Sequence, residues 1–238
     1  MKKLGVVGGL GPMATAYFMQ LVTQMTEAET DQQHIEMLIH SCPAIPDRTQ
    51  FILGKSKEDP SDPIIEIGKE LKGLGAELLA IPCITAHYFH DKLEQRIGLP
   101  IIHIVKETGK YLQQRKISCA GIMATDGTIE SALFQKELEQ LGIHTVIPDE
   151  VHQQMVMDII YKNVKAGKPV DMELFAGAAD NLQQQGAEVI VLGCTELSMA
   201  KRDQTIGAGF LDAMEILAKC SVEACGVLKP EYRELITQ

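Results

Sequence analysis

The stretch GAELLAIPC at residues 75–83 recurs as GAEVIVLGC at residues 186–194, 111 residues further along the chain. In both copies Gly-Ala-Glu is followed by four apolar residues, which predict a short buried strand leading to a cysteine. A duplicated chain is expected to fold into two similar halves. Each half would then present one thiol, Cys83 or Cys194, at the same structural position, which favours chemistry performed from two sides of one substrate.

The repeat extends beyond these two strands. Gly5 and Gly11 align with Gly121 and Gly127 at an offset of 116 residues. Continuous apolar runs alternate with helical patterns, which is typical of parallel sheets covered on both faces. We therefore predict an α/β fold of two pseudo-symmetric domains, each a mainly parallel sheet flanked by helices. The active site is expected in the cleft between them, beyond the carboxyl ends of the strands.

The predicted elements assign residues 1–102 and 213–238 to the first domain, because the last helix is expected to cross back onto it. The second domain is predicted at 103–212. The predicted strands are 3–7, 35–39, 78–81, 100–104, 117–123, 144–147 and 189–192. The predicted helices are 14–29, 64–74, 85–96, 129–141, 151–164, 172–185 and 213–227. The segment 42–51 holds two prolines and is predicted to be a loop.

The composition narrows the class of protein. The chain has 238 residues, 45% of them hydrophobic, and a net charge of −10, without the clustered positive charge that nucleic acid binding requires. No apolar run reaches the length of a bilayer span, so we expect neither a nucleic acid nor a membrane partner. The six cysteines are dispersed, without paired metal-ligand spacing. We therefore expect no metal and a reduced, cytoplasmic protein.

Cys83 and Cys194 differ from the other four cysteines in their surroundings. Both stand at the end of a predicted strand and the start of a loop or helix, where the positive end of a helix dipole favours a thiolate. Polar side chains follow both cysteines closely in the sequence: Thr85 and His87, and Thr195 and Glu196. These two thiols are the candidate catalytic groups, and the other four cysteines are expected to be buried structural residues.

The glycine-rich loop at residues 8–12 formally matches the dinucleotide fingerprint G-x-G-x-x-A when Met13 and Ala14 are included. Pro12 removes an N–H donor where a pyrophosphate would need one, and no acidic residue ends the second strand to bind a ribose hydroxyl. We therefore expect no nucleotide cofactor. The amides of this loop, near Gly11, remain suited to a carboxylate.

Two cations are candidates for binding an anionic substrate. Arg48 stands in the predicted loop after the second strand, and its planar guanidinium is well suited to clamp a carboxylate. Lys165 ends a predicted helix, where compensation of the helix dipole is an equally good interpretation.

Together these motifs resemble the aspartate/glutamate racemase family over essentially the whole chain. The resemblance is carried by residues 8–12 (GGLGP), 45–49 (IPDRT), 82–87 (PCITAH), 124–128 (ATDGT) with Ser131, 164–165 (VK) and 193–196 (GCTE). The IPDRT loop and Lys165 resemble the aspartate branch. The resemblance implies a cofactor-independent enzyme, commonly a homodimer, with its active site between two α/β domains. One residue departs from the family pattern, since Ile84 stands where the family usually has asparagine.

The resemblance implies interconversion of L- and D-aspartate, or of glutamate or a broader set, by a two-base mechanism in which Cys83 and Cys194 serve opposite faces of the α-carbon. One cysteine must be a thiolate and the other a thiol. The expected substrate-binding residues are Arg48, Thr85, Thr125, Lys165, Thr195, Glu196 and Gly11. Of these, Arg48 and Lys165 are expected to hold the side-chain carboxylate. Glu196 is expected to manage the proton of Cys194, and a solvated acid at a helix start is an equally good interpretation of this residue.

Three alternatives stay open from the sequence. The first is another enzyme on the same scaffold, a maleate-type cis–trans isomerase or a decarboxylase. The second is a non-catalytic protein that binds dicarboxylates, and the third is a redox dithiol.

Overall fold

A computed structural model describes residues 2–238 and shows two compact units. The first unit runs to Ile104 and also includes Met214–Leu235, and the second comprises Val105–Ala213 and Ile236–Gln238. The last three residues group with the second unit because Thr237 hydrogen-bonds to the backbone of Phe210 and Gly209. The domain limits inferred from the sequence stay a prediction.

The first unit contains a sheet of three parallel strands in the order β2–β1–β3. Its elements in chain order are β1 (Leu4–Gly8), α1 (Pro12–Met25), β2 (Met37–Ser41), α2 (Arg48–Ile52), α3 (Ser61–Gly73), β3 (Leu78–Ala80) and α4 (His90–Ile97). Short 3-10 segments form at Asp31–Gln33, Ile84–Phe89 and Pro230–Arg233. The core is aliphatic and joins the sheet to α3 and α4.

The second unit contains four parallel strands in the order β5–β4–β6–β7. Its elements are α5 (Ile104–Gln114), β4 (Cys119–Met123), α6 (Asp126–Glu130), α7 (Leu133–Gln140), β5 (His144–Val146), α8 (Glu150–Asp158), α9 (Met172–Gln184), β6 (Val189–Leu192), α10 (Ser198–Asp203) and β7 (Phe210–Asp212). Helix α8 continues into a π-helical turn at Ile159–Asn163 and a 3-10 turn at Val164–Ala166. The last helix, α11 (Ala213–Cys225), returns to the first unit. The predicted α/β class is confirmed.

In both units, a glycine in the central strand allows an alanine side chain from a neighbouring segment to approach the strand closely. A Cβ on Gly5 of β1 would lie 2.9 Å from Ala76 Cβ, and a Cβ on Gly121 of β4 would lie 3.0 Å from Ala187 Cβ. Real Cβ atoms essentially never approach within 3.0 Å. Ala76 and Ala187 are the second residues of the two repeated stretches. The sequence repeat therefore preserves a contact between the central strand and the segment that enters the neighbouring strand.

Several local predictions were wrong. The segment 42–51 is not all loop, because α2 begins at Arg48, where the Asp47 side chain accepts a hydrogen bond from the Gln50 amide at 3.0 Å. The strand expected at 100–104 is reduced to one bridge between Ile101 and Leu79, since α5 starts directly after it.

The helices expected at 85–96 and 129–141 are each broken. The first opens as the 3-10 segment Ile84–Phe89, and the second is interrupted at Ala132, which has a φ of 54°. Helices α5 and α10 and strand β7 were not predicted. Within residues 2–238, no helix combines the length and the apolar character needed to cross a membrane.

The close approach at Gly5 can be tested by substitution. We expect Gly5→Ala to lower the free energy of unfolding by about 1–3 kcal/mol, because an added methyl group overpacks a filled core. The control is Gly73→Ala near the end of α3, where a Cβ would meet no described atom within 4 Å. We expect that change to be neutral or stabilising by up to about 1 kcal/mol. Urea unfolding measures both, and equal stabilities would contradict the close contact.

Candidate active site

Cys83 lies just beyond β3, at the carboxyl edge of the first unit's sheet. It is buried and precedes the 3-10 segment Ile84–Phe89. Its N–H donates to the Ile81 carbonyl at 2.7 Å, and its own carbonyl accepts from the Ala86 N–H at 3.2 Å. Two hydrogen bonds within the six residues 81–86 therefore fix the backbone that carries the thiol. Ile84 and Thr85, which follow it, are also buried.

Three histidine rings cluster behind this loop. His87 and His90 are buried, and their ring centroids lie 5.5 Å and 4.2 Å from that of His103. The Nε2 atom of His87 lies 3.2 Å from the Ile81 carbonyl oxygen, which can only accept, so Nε2 carries the hydrogen. Burial lowers the pKa of His87 to about 3, with a further lowering from His103. His87 is therefore a neutral imidazole at neutral pH.

Arg48 is buried at the start of α2 and is held by backbone carbonyls. Its guanidinium donates to Pro46 O at 3.0 Å, Ile45 O at 3.4 Å and Leu10 O at 3.1 Å. The bond to Leu10 ties the guanidinium to the glycine-rich loop. The structure thus gives Arg48 a fixed place beside that loop, in addition to the substrate role expected from the sequence.

The glycine-rich loop follows β1, next to the strand that leads to Cys83. Gly11 precedes α1, and its carbonyl accepts from both the N–H and the hydroxyl of Thr15. Gly9 has a φ of 90°, and a Cβ there would lie 2.4 Å from the backbone of Cys42. Only glycine fits this position. Register between β1 and β3 places the loop and the Cys83 turn at the same sheet edge.

Cys194 occupies the equivalent place in the second unit, just beyond β6. Its Sγ donates to Glu196 Oε2 at 2.9 Å, and the Thr195 hydroxyl donates to the same oxygen at 3.3 Å. All three side chains are buried. Burial raises the pKa of the Cys194 thiol well above its ordinary value, and the Glu196 carboxylate raises it further. Cys194 is therefore a protonated thiol in this arrangement.

Lys165 opposes that shift, because its positive charge lowers the pKa of Cys194. It lies in the 3-10 turn Val164–Ala166, with Nζ 4.0 Å from the centroid of the Tyr161 ring. This is a cation–π arrangement. The π-helical turn before it, of a kind often found at functional sites, brings both side chains to one place.

Thr125 caps α6 at the end of β4, where its Oγ1 accepts from the Thr128 N–H at 3.3 Å. Met123 of β4 pairs with Leu192 of β6. Thr125 and Cys194 each follow their member of this pair by two residues, so both lie at the same edge of the sheet. The structure therefore gathers Thr125, Cys194, Thr195, Glu196 and Lys165 in the second unit. It gathers Gly11, Arg48, Cys83 and Thr85 in the first.

A buried polar pair in the second unit was missed from the sequence. Ser198 Oγ donates to Asp212 Oδ1 at 2.8 Å, and both residues are fully buried. Ser198 stands four residues after Cys194, as His87 stands four residues after Cys83. The repeat offset of 111 residues is the signal that could have found this correspondence. Across residues 2–238, no three His, Cys, Asp or Glu side chains are placed to hold a metal ion.

Comparisons with known proteins identify the family. Residues 7–220 match the family described as Asp/Glu/Hydantoin racemase. The chain is 27% identical over 228 residues to the broad specificity amino-acid racemase RacX of Bacillus subtilis (strain 168), covering 92% of this chain and 96% of that protein.

Solved structures show the same fold. The aspartate racemase of Picrophilus torridus superposes with a TM-score of 0.83 at 27% identity, covering 98% of each chain. A putative Asp/Glu racemase from Yersinia pestis superposes with a TM-score of 0.78 at 24% identity, covering 94% of this chain and 99% of that one, a likeness of fold. The chain belongs to the Asp/Glu/Hydantoin racemase family and is by class a racemase, that is, an isomerase.

Proposed function

We propose that this racemase interconverts L- and D-aspartate without a cofactor, using Cys83 and Cys194 as two acid–base groups on opposite faces of the α-carbon. The observation that carries the proposal is the hydrogen bond from Cys194 Sγ to Glu196 Oε2 at 2.9 Å. A group that returns a proton must hold one beforehand, and this bond keeps Cys194 protonated.

The proposed roles of the two thiols follow from the protonation of Cys194. In the resting enzyme Cys194 is the acid, and Cys83 is the base that removes the α-proton. The proton of Cys194 passes to the other face of the carbanion, and the enzyme is left with the two roles exchanged. Glu196 then faces a thiolate, and repulsion between the two negative charges favours return of a proton to Cys194. Turnover in the opposite direction uses the same two states in reverse.

Substrate binding is assigned to the fixed polar groups around each thiol. The hydroxyl hydrogen of Thr195 points to Glu196, so its oxygen is left to accept from the α-ammonium group of the substrate. Thr85, Thr125 and the amides near Gly11 are proposed to donate to the α-carboxylate, where charge develops as the proton leaves. Arg48 and Lys165 are proposed to hold the side-chain carboxylate.

The choice of aspartate has two supports, the IPDRT loop with Lys165 and the likeness to an aspartate racemase structure. Ile84 and the likeness to a broad specificity racemase favour a wider range that includes glutamate or neutral amino acids. Ile84 is buried next to Cys83 and offers neither a donor nor an acceptor. A polar substrate group beside it would lose a hydrogen bond that the family's usual asparagine provides.

The cytoplasm is the proposed location, because two thiol bases must stay reduced to work. All six cysteines, which lie within residues 2–238, are free thiols.

A homodimer is proposed as the assembly, following the family resemblance. Strand β2 lies at a sheet edge, and the bonds from Leu4 N to Glu36 O and from Cys42 N to Gly8 O show that its even-numbered residues face β1. The odd-numbered residues turn their backbone groups outward. An edge strand can pair with its own copy across a twofold axis, which favours a second copy as its partner. Leu74, 65% exposed, lines the groove beside it.

The two-thiol assignment is tested by single substitutions. We expect Cys83→Ala and Cys194→Ala each to lower kcat for racemisation of L-aspartate by at least about 10³-fold, because each removes one of two required proton carriers. The control Cys220→Ala removes a thiol outside the proposed site and should retain wild-type turnover. Chiral chromatography after incubation with L-aspartate, L-glutamate or maleate measures the products. Near-normal racemisation by either alanine variant, or turnover of maleate alone, contradicts the proposal.

The role of Glu196 is tested by thiol reactivity. We expect Glu196→Gln to raise the rate of Cys194 alkylation by iodoacetamide at pH 8 by about tenfold or more, because the loss of one negative charge lowers the thiol pKa. The control Glu188→Gln removes the same charge beside Cys119, whose pKa Glu188 raises, and should leave Cys194 unchanged. Mass spectrometry of modified peptides gives each rate. An unchanged rate at Cys194 in Glu196→Gln rules out this control of the thiol.

The dimer is tested with two residues of equal exposure. Leu74 and Val151 are each 65% exposed, but only Leu74 borders the β2 groove. We expect Leu74→Lys to weaken the dimer by at least about tenfold in Kd, since a buried unpaired charge is costly in an interface, and Val151→Lys to leave it intact. Light scattering after size exclusion reads the mass. A monomeric wild type, or equal effects of the two substitutions, contradicts an interface at β2.

A further inference from the structure

The internal repeat identifies one equivalent position behind each thiol. His87 and Ser198 each stand four residues after a cysteine. Leu79 and Ile190 are equivalent residues of the repeat, 111 positions apart. Leu79 bridges to Ile101 in the first unit, and Ile190 pairs with Phe210 in the second. The residues two positions beyond these partners are His103 and Asp212. The ring pair of His87 with His103 therefore corresponds to the hydrogen-bonded pair of Ser198 with Asp212.

The two pairs share a place but differ in chemistry. The second unit uses a serine and a carboxylate, which satisfy each other. The first unit uses imidazoles, and the Nε2–H of His87 is directed to the Ile81 carbonyl at 3.2 Å. That carbonyl also accepts the Cys83 N–H at 2.7 Å. The Ile81 carbonyl oxygen thus accepts hydrogen bonds from both Cys83 and His87. It links the two ends of the turn 81–87, which is the segment that carries the Cys83 thiol.

A space-filling role alone does not explain a histidine here. Within the part of the chain that the structure describes, the buried Nδ1 of His87 has no hydrogen-bond partner. A buried polar atom left unsatisfied destabilises the folded state, and leucine would fill a similar volume without that cost. The hydrogen bond that the structure shows for the His87 ring is the one from Nε2–H to the Ile81 carbonyl, and that carbonyl belongs to the thiol-bearing turn.

We propose that His87 is a positioning residue for the Cys83 half of the site: its Nε2–H fixes the Ile81 carbonyl and, through it, the turn that aims the Cys83 thiol. This rests on the proposed function, in which Cys83 is an acid–base group. His87 acts through the backbone and does not touch the substrate. Loss of its donor leaves the thiol present but poorly placed.

The test compares variants that keep or remove the donor. His87→Leu keeps the volume and removes the Nε2–H, and His87→Gln keeps a donor at a similar reach. We expect His87→Leu to lower kcat by about 10²-fold with little change in KM, as a misplaced reacting group does. His87→Gln should restore kcat to within about tenfold of wild type. The matched control is His90→Leu, which removes a ring of the same cluster whose Nε2 contacts Ile101 O instead.

A second readout needs no turnover and so stands apart from the proposed function. Iodoacetamide alkylation is followed separately at Cys83 and Cys194 by mass spectrometry. We expect His87→Leu to speed alkylation of buried Cys83 by about tenfold as its turn loosens, with Cys194 as the unchanged internal reference. His87→Gln and His90→Leu should both resemble wild type in this ratio. An inactive wild type with this selective change would contradict the racemase proposal but support the positioning role.

Three results overturn the inference. They are unchanged Cys83 alkylation in His87→Leu, equal acceleration at both cysteines, and an effect of His90→Leu as large as that of His87→Leu. If His87→Leu does not fold, His87→Asn replaces it, because its shorter amide cannot reach the Ile81 carbonyl. The same selective change at Cys83 is then expected, and its absence counts against the proposal.

Discussion

The hydrogen bond from the Cys194 thiol to the Glu196 carboxylate is the interaction on which the account of this racemase depends. A buried thiol beside a carboxylate keeps its proton, because ionisation would place two negative charges together in a poorly solvated site. Two equivalent thiols from a duplicated chain would give no reason for one to start as acid and the other as base. In the proposed mechanism Glu196 supplies that reason, since the first copy has Thr85 at the corresponding position.

The duplication preserves backbone geometry more closely than chemistry. Gly5 with Ala76 and Gly121 with Ala187 repeat one close contact, and each thiol follows a strand beside the central one. The side chains around the thiols have diverged. Imidazoles lie behind the Cys83 turn, whereas carboxylates lie near Cys194. The proposed two-thiol mechanism makes use of this difference, because its two proton carriers hold opposite protonation states in each half of the cycle.

The sequence predicted the features that depend on local pattern. Continuous apolar runs located most strands, and the repeat located both cysteines at strand ends. Features that depend on distant contacts were not predictable in this way. The strand expected at 100–104 survives as one bridge at Ile101, and the contact of His87 with His103 joins residues that no local periodicity connects. The bonds of Arg48 to carbonyls likewise arise from the folded loop, not from its residue type.

The central claim is that two different groups, one on each face, handle the α-hydrogen. The most direct measurement follows the ellipticity of L-aspartate during racemisation in deuterium oxide. If one thiol removes the hydrogen and the other returns deuterium, the product forms deuterated and reacts back more slowly. The signal then passes through zero and returns to it. A monotonic decay to zero, with product that retains the substrate hydrogen, would contradict the account.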